Sequence, residues 1–154
     1  MARNNNEPVS QSDGLSPVIL KVRNYGDMQK AAEGLIPATA VRAIEIEAIV
    51  DTRATYVCLP RSDIEKLGLS FHRDIDIWTA SGRVSRRLFS GAWVGLMDRD
   101  TVMEIVENDE GTPPLVGSLL LDALDLVVDP GSQQVTTNPA HNGEWVLDCF
   151  CLSR

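Results

Sequence analysis

Short alternating segments separated by turn residues recur along most of this chain, and no strand–helix–strand rhythm links them. Arg42-Ala43-Ile44-Glu45-Ile46-Glu47-Ala48-Ile49-Val50 begins by alternating polar and apolar residues and ends wholly apolar. That describes a strand that starts half-exposed and finishes buried. Residues 17–22 are β-rich and predict a first strand, and residues 55–59 predict another, stopped by Pro60. Asp74–Trp78, the Ser81-Gly82 turn and Val84–Phe89 predict a hairpin. Ala92–Leu96 and Val102–Val106 predict a further strand pair around Asp98–Asp100, and Leu126–Asp129 a last core strand that residues 134–137 continue.

Helix signals are few. Ser62-Asp63-Ile64-Glu65 has the form of a capping box, with Gly68 as the stop. A second short helix is expected after Leu115-Val116-Gly117, capped by Ser118. Residues 24–40 contain Gly26, Gly34 and Pro37 and read as loop with at most one helical turn at residues 28–33. The expected fold is therefore mainly β, a small closed barrel with one or two short helices.

At 154 residues there is room for one domain. Residues 1–16 are polar and predict a disordered tail, residues 17–139 hold the domain, and residues 140–154 form a C-terminal tail. The formal charge of −8 disfavours nucleic acid and anionic membrane surfaces as partners. The longest apolar stretch, 115–128, is broken by Asp122 and Asp125 and is too short to span a bilayer. The first residues lack a signal-peptide core, which leads to a cytoplasmic expectation. Cys58, Cys149 and Cys151 are an odd set with no disulfide framework, and His72 and His141 lie far from the Cys149-x-Cys151 pair in sequence. Neither a metal nor another cofactor is expected.

Most familiar catalytic patterns are absent: there is no nucleophile elbow, phosphate loop, zinc-protease helix or dinucleotide fingerprint. Asp98-x-Asp100 lacks the rest of a calcium loop and reads as a solvated turn. Arg83, Arg86 and Arg87 read as solvation of an exposed hairpin, with a phosphate site the weaker alternative. One arrangement differs. The buried Ile49-Val50 delivers Asp51 into a turn of small and polar residues, and a desolvated carboxylate costs several kcal/mol unless it is paired or hydrogen-bonded. The plain alternative is an Asp that caps its own turn.

The wider pattern bears on that choice. Residues 48–60, Ala-Ile-Val-Asp-Thr-Arg-Ala-Thr-Tyr-Val-Cys-Leu-Pro, followed by a helix ending in Leu67-Gly68-Leu69, resemble the first half of the retropepsin-like aspartic proteases. Thr79-Ala80-Ser81-Gly82 at the hairpin tip looks like their flap. Leu115-Val116-Gly117 looks like their hydrophobic-hydrophobic-glycine element, and residues 123–130 resemble the ending of bacterial members. The resemblance spans about residues 41–139 in the family's order. It implies a single barrel lobe that works as a homodimer on a polypeptide substrate, with one Asp51 from each copy sharing a proton and activating water. It also implies that Thr52 ties the two motif turns together and that the flaps close over an extended peptide. Residues 145–150 are an apolar candidate for packing at that interface or on their own lobe.

The family's third motif residue is glycine, and this chain has Arg53 before Ala54. A guanidinium beside the pair of carboxylates favours ionisation of both; an outward-pointing one leaves a weakened enzyme. Two functions follow as expectations: an aspartic endopeptidase, or a catalytically inactive relative that serves as a dimerisation or peptide-binding module.

Overall fold

A computed structural model describes residues 15–149. Its strands are β1 (Val18–Asn24), β2 (Ala43–Val50), β3 (Val57–Pro60), β4 (Ser70–Thr79), β5 (Gly82–Leu96), β6 (Arg99–Asn108), β7 (Leu115–Val116), β8 (Leu126–Asp129) and β9 (Gln134–Thr137). The helices are α1 (Tyr25–Ala32), α2 (Arg61–Leu67) and α3 (Ser118–Ala123), with single 3₁₀ turns at Ala38–Ala40 and Pro139–His141. The main sheet runs β1-β2-β7-β3-β6-β5-β4, and a further pairing of β1 with β5 closes six of these strands into a barrel. β4 stays outside the ring, paired only to β5.

The expected mainly β barrel is what the chain forms. Alternation decides which face of each strand enters the core: Leu20 and Val22 from β1, Val57 and Leu59 from β3, and Val94 and Leu96 from β5 are all buried. Ala48 and Val50 at the end of β2 are buried while Glu45 and Glu47 before them are exposed, as the change of pattern along that strand predicts. Ile64 and Leu67 of α2 and Leu120 and Leu121 of α3 plug the barrel's ends.

Four local readings need correction. There are three short helices rather than one or two, because α1 replaces the expected loop. Asn24, the last residue of β1, turns the chain straight into that helix, its side-chain oxygen accepting from the Asp27 N–H at 2.9 Å. β5 is one strand of 15 residues, not two. Ser90-Gly91, between the two expected strands, forms a bulge, with Gly91 at φ 84°, where the register to β6 shifts. The capping box does not form: α2 starts at Arg61, so Ser62 lies inside the first turn and donates from its N–H and hydroxyl to the Glu110 carboxylate. Ser118 likewise sits inside α3, whose N-cap is Gly117.

β8 and β9 form a separate two-stranded hairpin below the barrel. The expected polar tail lies outside the described residues except for residues 15 and 16: Leu15 packs on the core and the Ser16 N–H donates to the Gln133 carbonyl at 3.0 Å. Trp145 and Val146 are tied to their own lobe, the Trp145 indole donating to the Ala123 carbonyl at 3.1 Å and the Val146 N–H to Asp125, yet the side chains of 145–147 stay exposed; Phe150 and Cys151 lie outside the described residues. Within the described residues, no helix is long and apolar enough to cross a membrane.

α1 is fastened to the barrel by a buried carboxylate. Asp27 accepts from the Arg42 backbone N–H and, through both oxygens, from its guanidinium at 2.8 and 3.0 Å. The Arg42 hydrogen bonds hold the Asp27 carboxyl down at about 2. Asp27→Ala leaves these donors unmatched and is expected to lower unfolding stability by about 1–3 kcal/mol at pH 7. Since the folded-state pKa is lowered, the pair's contribution is complete above the ordinary Asp value of 3.8 and is lost as pH falls toward about 2. Urea titrations of both proteins between pH 7 and pH 2 should converge over that window.

Candidate active site

Asp51 follows the last residue of β2. β7 lies between β2 and β3, parallel to the first and antiparallel to the second, so the Ile49↔Leu115 and Val50↔Val116 pairings lead directly into the Asp51 turn. The Asp51 N–H continues that ladder by donating to the Val116 carbonyl at 3.0 Å, and its own carbonyl accepts from Ala54 at 3.0 Å. The next residues are pinned by α3, whose first two N–H groups, on Ser118 and Leu119, donate to the carbonyls of Ala54 and Thr55 at 2.8 and 3.0 Å. Those are orphan donors of a helix start, and the turn supplies what a capping side chain would otherwise provide.

Gly117 makes this contact possible. A Cβ there would stand 2.5 Å from the Tyr56 carbonyl oxygen and 2.7 Å from that of Ala54. Both obstacles are backbone, which cannot swing aside as a side chain can. The Leu115-Val116-Gly117 element thus lies directly beneath Asp51-Thr52-Arg53-Ala54.

Asp51 is part-buried, and Arg53 points at it. The Arg53 Nε donates to Oδ1 at 3.0 Å and Nη2 to Oδ2 at 3.1 Å, while the Arg53 backbone N–H also reaches Oδ1 at 3.0 Å. Both carboxylate oxygens are therefore occupied by one residue. The guanidinium hydrogen bonds hold the Asp51 carboxyl below its usual range, against the opposing effect of partial burial. The Asp51 carboxylate does accept from the backbone of its own turn, as the plain alternative expects, but it is also charge-paired. Thr52 is exposed.

Beside this turn opens a cleft of about 740 Å³. Arg53, Tyr56 and Cys58 form one wall, and Arg73, Ile75 and Trp78 of β4 form the other. The lining includes Arg53 and Ala54 but not Asp51. β4 and the first half of β5 make the expected hairpin, in register from Thr79↔Gly82 to Asp74↔Arg87. At its tip Ala80 and Ser81 are exposed, and the Thr79 hydroxyl accepts from the Ser81 N–H and donates to the Gly82 carbonyl. Trp78, just before the tip, is 82% exposed. Burial pushes the Cys58 thiol up to about 11, which leaves it protonated and unreactive at neutral pH.

Arg83, Arg86 and Arg87 pair with Asp76, Asp109 and Glu107 respectively; Arg83 is solvated as expected, whereas Arg86 is largely buried and its Nε is a buried donor without a partner among the described residues. Asp100 lies in β6 and accepts from the indole of Trp93 across the β5–β6 pair. No cluster of three or more potential metal ligands occurs among the described residues.

The sequence reading missed two features. Of the cleft wall residues, Ile75 was legible only as part of an alternating strand, and Arg73, just before that segment, was not singled out. A buried clasp below the barrel was not legible at all. There Asp125, at φ 52°, accepts from Asn138 at 3.0 Å and from Val146 at 3.2 Å and bonds the His141 ring at 2.6 Å. Arg99 beside it donates to the carbonyls of Leu124, Asp125 and Gly143.

No family model matches this chain, and no curated protein matches it.

Gly117→Ala is expected to cost about 1–3 kcal/mol, because two backbone carbonyls must retreat to admit one methyl group. Thermal unfolding should show the loss, while Gly131→Ala, where the nearest atom to a new Cβ is 3.5 Å away, should leave the midpoint nearly unchanged.

Proposed function

We propose that this chain is one lobe of a retropepsin-like aspartic endopeptidase, completed by a second copy so that two Asp51 carboxylates face one another. The reading rests on Asp51: a part-buried carboxylate whose turn is fixed by backbone hydrogen bonds at the end of a core strand, beside a peptide-sized cleft flanked by an exposed hairpin tip. A single lobe supplies one such carboxylate, and the chemistry needs two. Like charges a few ångströms apart cannot both ionise comfortably, so one proton is shared. The ionised member takes a proton from water, the water oxygen adds to the peptide carbonyl, and the protonated member hydrogen-bonds the carbonyl oxygen. The proton then passes to the leaving nitrogen as the C–N bond breaks. Thr52, exposed at the turn, is available to join the two motif turns, and the residues 79–82 would cover the peptide. No cofactor takes part in this scheme.

Arg53 favours a second reading. Its two-point ion pair stabilises the ionised form of Asp51 and occupies both oxygens, which suits an inactive dimerisation or peptide-binding module.

The two readings separate on Arg53→Gly and Asp51→Asn. In the enzyme, Asp51→Asn abolishes peptide cleavage and Arg53→Gly raises it about tenfold or more. The pH profile gives a further check. Arg53 lowers the Asp51 pKa, so the wild-type pair keeps its shared proton only at lower pH, and the glycine variant should have its optimum shifted upward. A peptide-library digestion between pH 3 and pH 7 in which neither protein cuts anything would favour the inactive module. Sedimentation at micromolar concentration should show a dimer; a monomer alone would count against the endopeptidase and leave only a peptide-binding module.

A further inference from the structure

We infer that Arg53 is a latch operated by the substrate, and that the peptides this site accepts carry an acidic side chain next to the bond to be cut. The inference rests on the endopeptidase reading and names its substrate class.

The latch is the two-point contact of Arg53 with Asp51. While it holds, Arg53 fills both acceptor sites of Oδ1 and one of Oδ2, and its charge makes the carboxylate a poorer base toward water. Pulling a guanidinium off a carboxylate into solvent sacrifices two charge-assisted hydrogen bonds, whereas transferring it to another carboxylate replaces them in kind. An acidic side chain on the peptide is the group able to make that exchange. The Arg53 side chain is 78% exposed and lines the cleft, so an entering peptide meets it before it meets Asp51, which does not line the cleft.

The opposite wall adds a second cation. Arg83, Arg86 and Arg87 of the same hairpin are each committed to a carboxylate, but Arg73 forms no ion pair among the described residues and faces the cleft. Two carboxylates also line it. Asp76 is engaged by Arg83, whereas Arg87 is held by Glu107, so Asp74 forms no ion pair among the described residues and sets one negative charge beside Arg73. An acidic occupant therefore finds its main partner in Arg53, once exchanged, with Arg73 offsetting Asp74. A neutral peptide leaves the latch closed. A basic one meets Arg73 and gives Arg53 no new partner.

Three fluorogenic peptides that differ only in Glu, Gln or Lys next to the scissile bond test this, with the full chain and its Arg53→Gly, Arg73→Gln and Asp51→Asn variants. Wild type should cleave the Glu peptide at least about tenfold better in kcat/KM than the Gln peptide, and the Lys peptide least. Arg53→Gly should erase most of that preference by gaining on the Gln peptide, and Arg73→Gln should weaken it through KM. Equal cleavage of all three by wild type, with Asp51→Asn inactive, overturns the latch and leaves the endopeptidase reading standing. If wild type and Arg53→Gly cleave nothing, the endopeptidase reading falls, and anisotropy of the labelled peptides on wild type decides the specificity: about tenfold tighter binding of the Glu peptide upholds it, and equal or Lys-favouring binding overturns it.

Discussion

Insertion of the two-residue strand β7 between β2 and β3 is the contact on which the rest of this molecule depends. Before it arrives, the ends of β2 and β3 have unpaired edges, the barrel is open, and nothing fixes the turn between them. Once Ile49-Val50 pairs with Leu115-Val116 and Cys58 pairs from the other side, the ring closes and the Asp51 N–H receives its acceptor in the same step. Barrel closure and placement of the carboxylate are one event. Buried backbone groups must be paired, so the turn has little freedom to drift while the ladder holds. Gly117 adds a steric condition to the hydrogen-bonding one.

Charge is handled differently at the surface and in the interior. Along the hairpin, Arg86 and Arg87 reach from β5 to Asp109 and Glu107, and Arg83 reaches across to Asp76. Exposed pairs of this kind contribute little to stability individually, and their effect is chiefly to orient the strands they join. Asp27 and Arg99 belong to another class. Each is buried, each makes three hydrogen bonds through its side chain, and each fastens a segment that the barrel itself does not hold: α1 in one case, the C-terminal segment in the other. Polar groups in such positions must be matched in full, since any donor left over is costly.

The strands were legible because period-two alternation follows directly from the geometry of a half-buried sheet, as Ile44–Val50 illustrates. The places where reading failed have a common cause: local signals were satisfied by distant groups. Ser62 has the spacing of a cap but finds Glu110 instead. Ser118 looks like a cap, yet the α3 start is served by Ala54 and Thr55 carbonyls. Val84–Phe89 and Ala92–Leu96 read as two strands, but pairing on both sides draws the chain through Ser90-Gly91 as a bulge in one strand. At the site, Asp51 was evident from its position at the end of an apolar run. The direction taken by Arg53 was not, because a long side chain next to a turn has several staggered choices that only the assembled surroundings decide.

α3 has a mechanical role that its six residues belie. Its first N–H groups hold the Asp51 turn, and its far end is gripped by Trp145 at the Ala123 carbonyl and by Arg99 at the Leu124 carbonyl. At roughly 1.5 Å of rise per residue it is a strut about 9 Å long between the chemistry and the chain's terminal segment. One six-residue element therefore takes its hydrogen-bond partners from both places, so the Asp51 turn and the segment around Trp145 are anchored to the same piece of backbone.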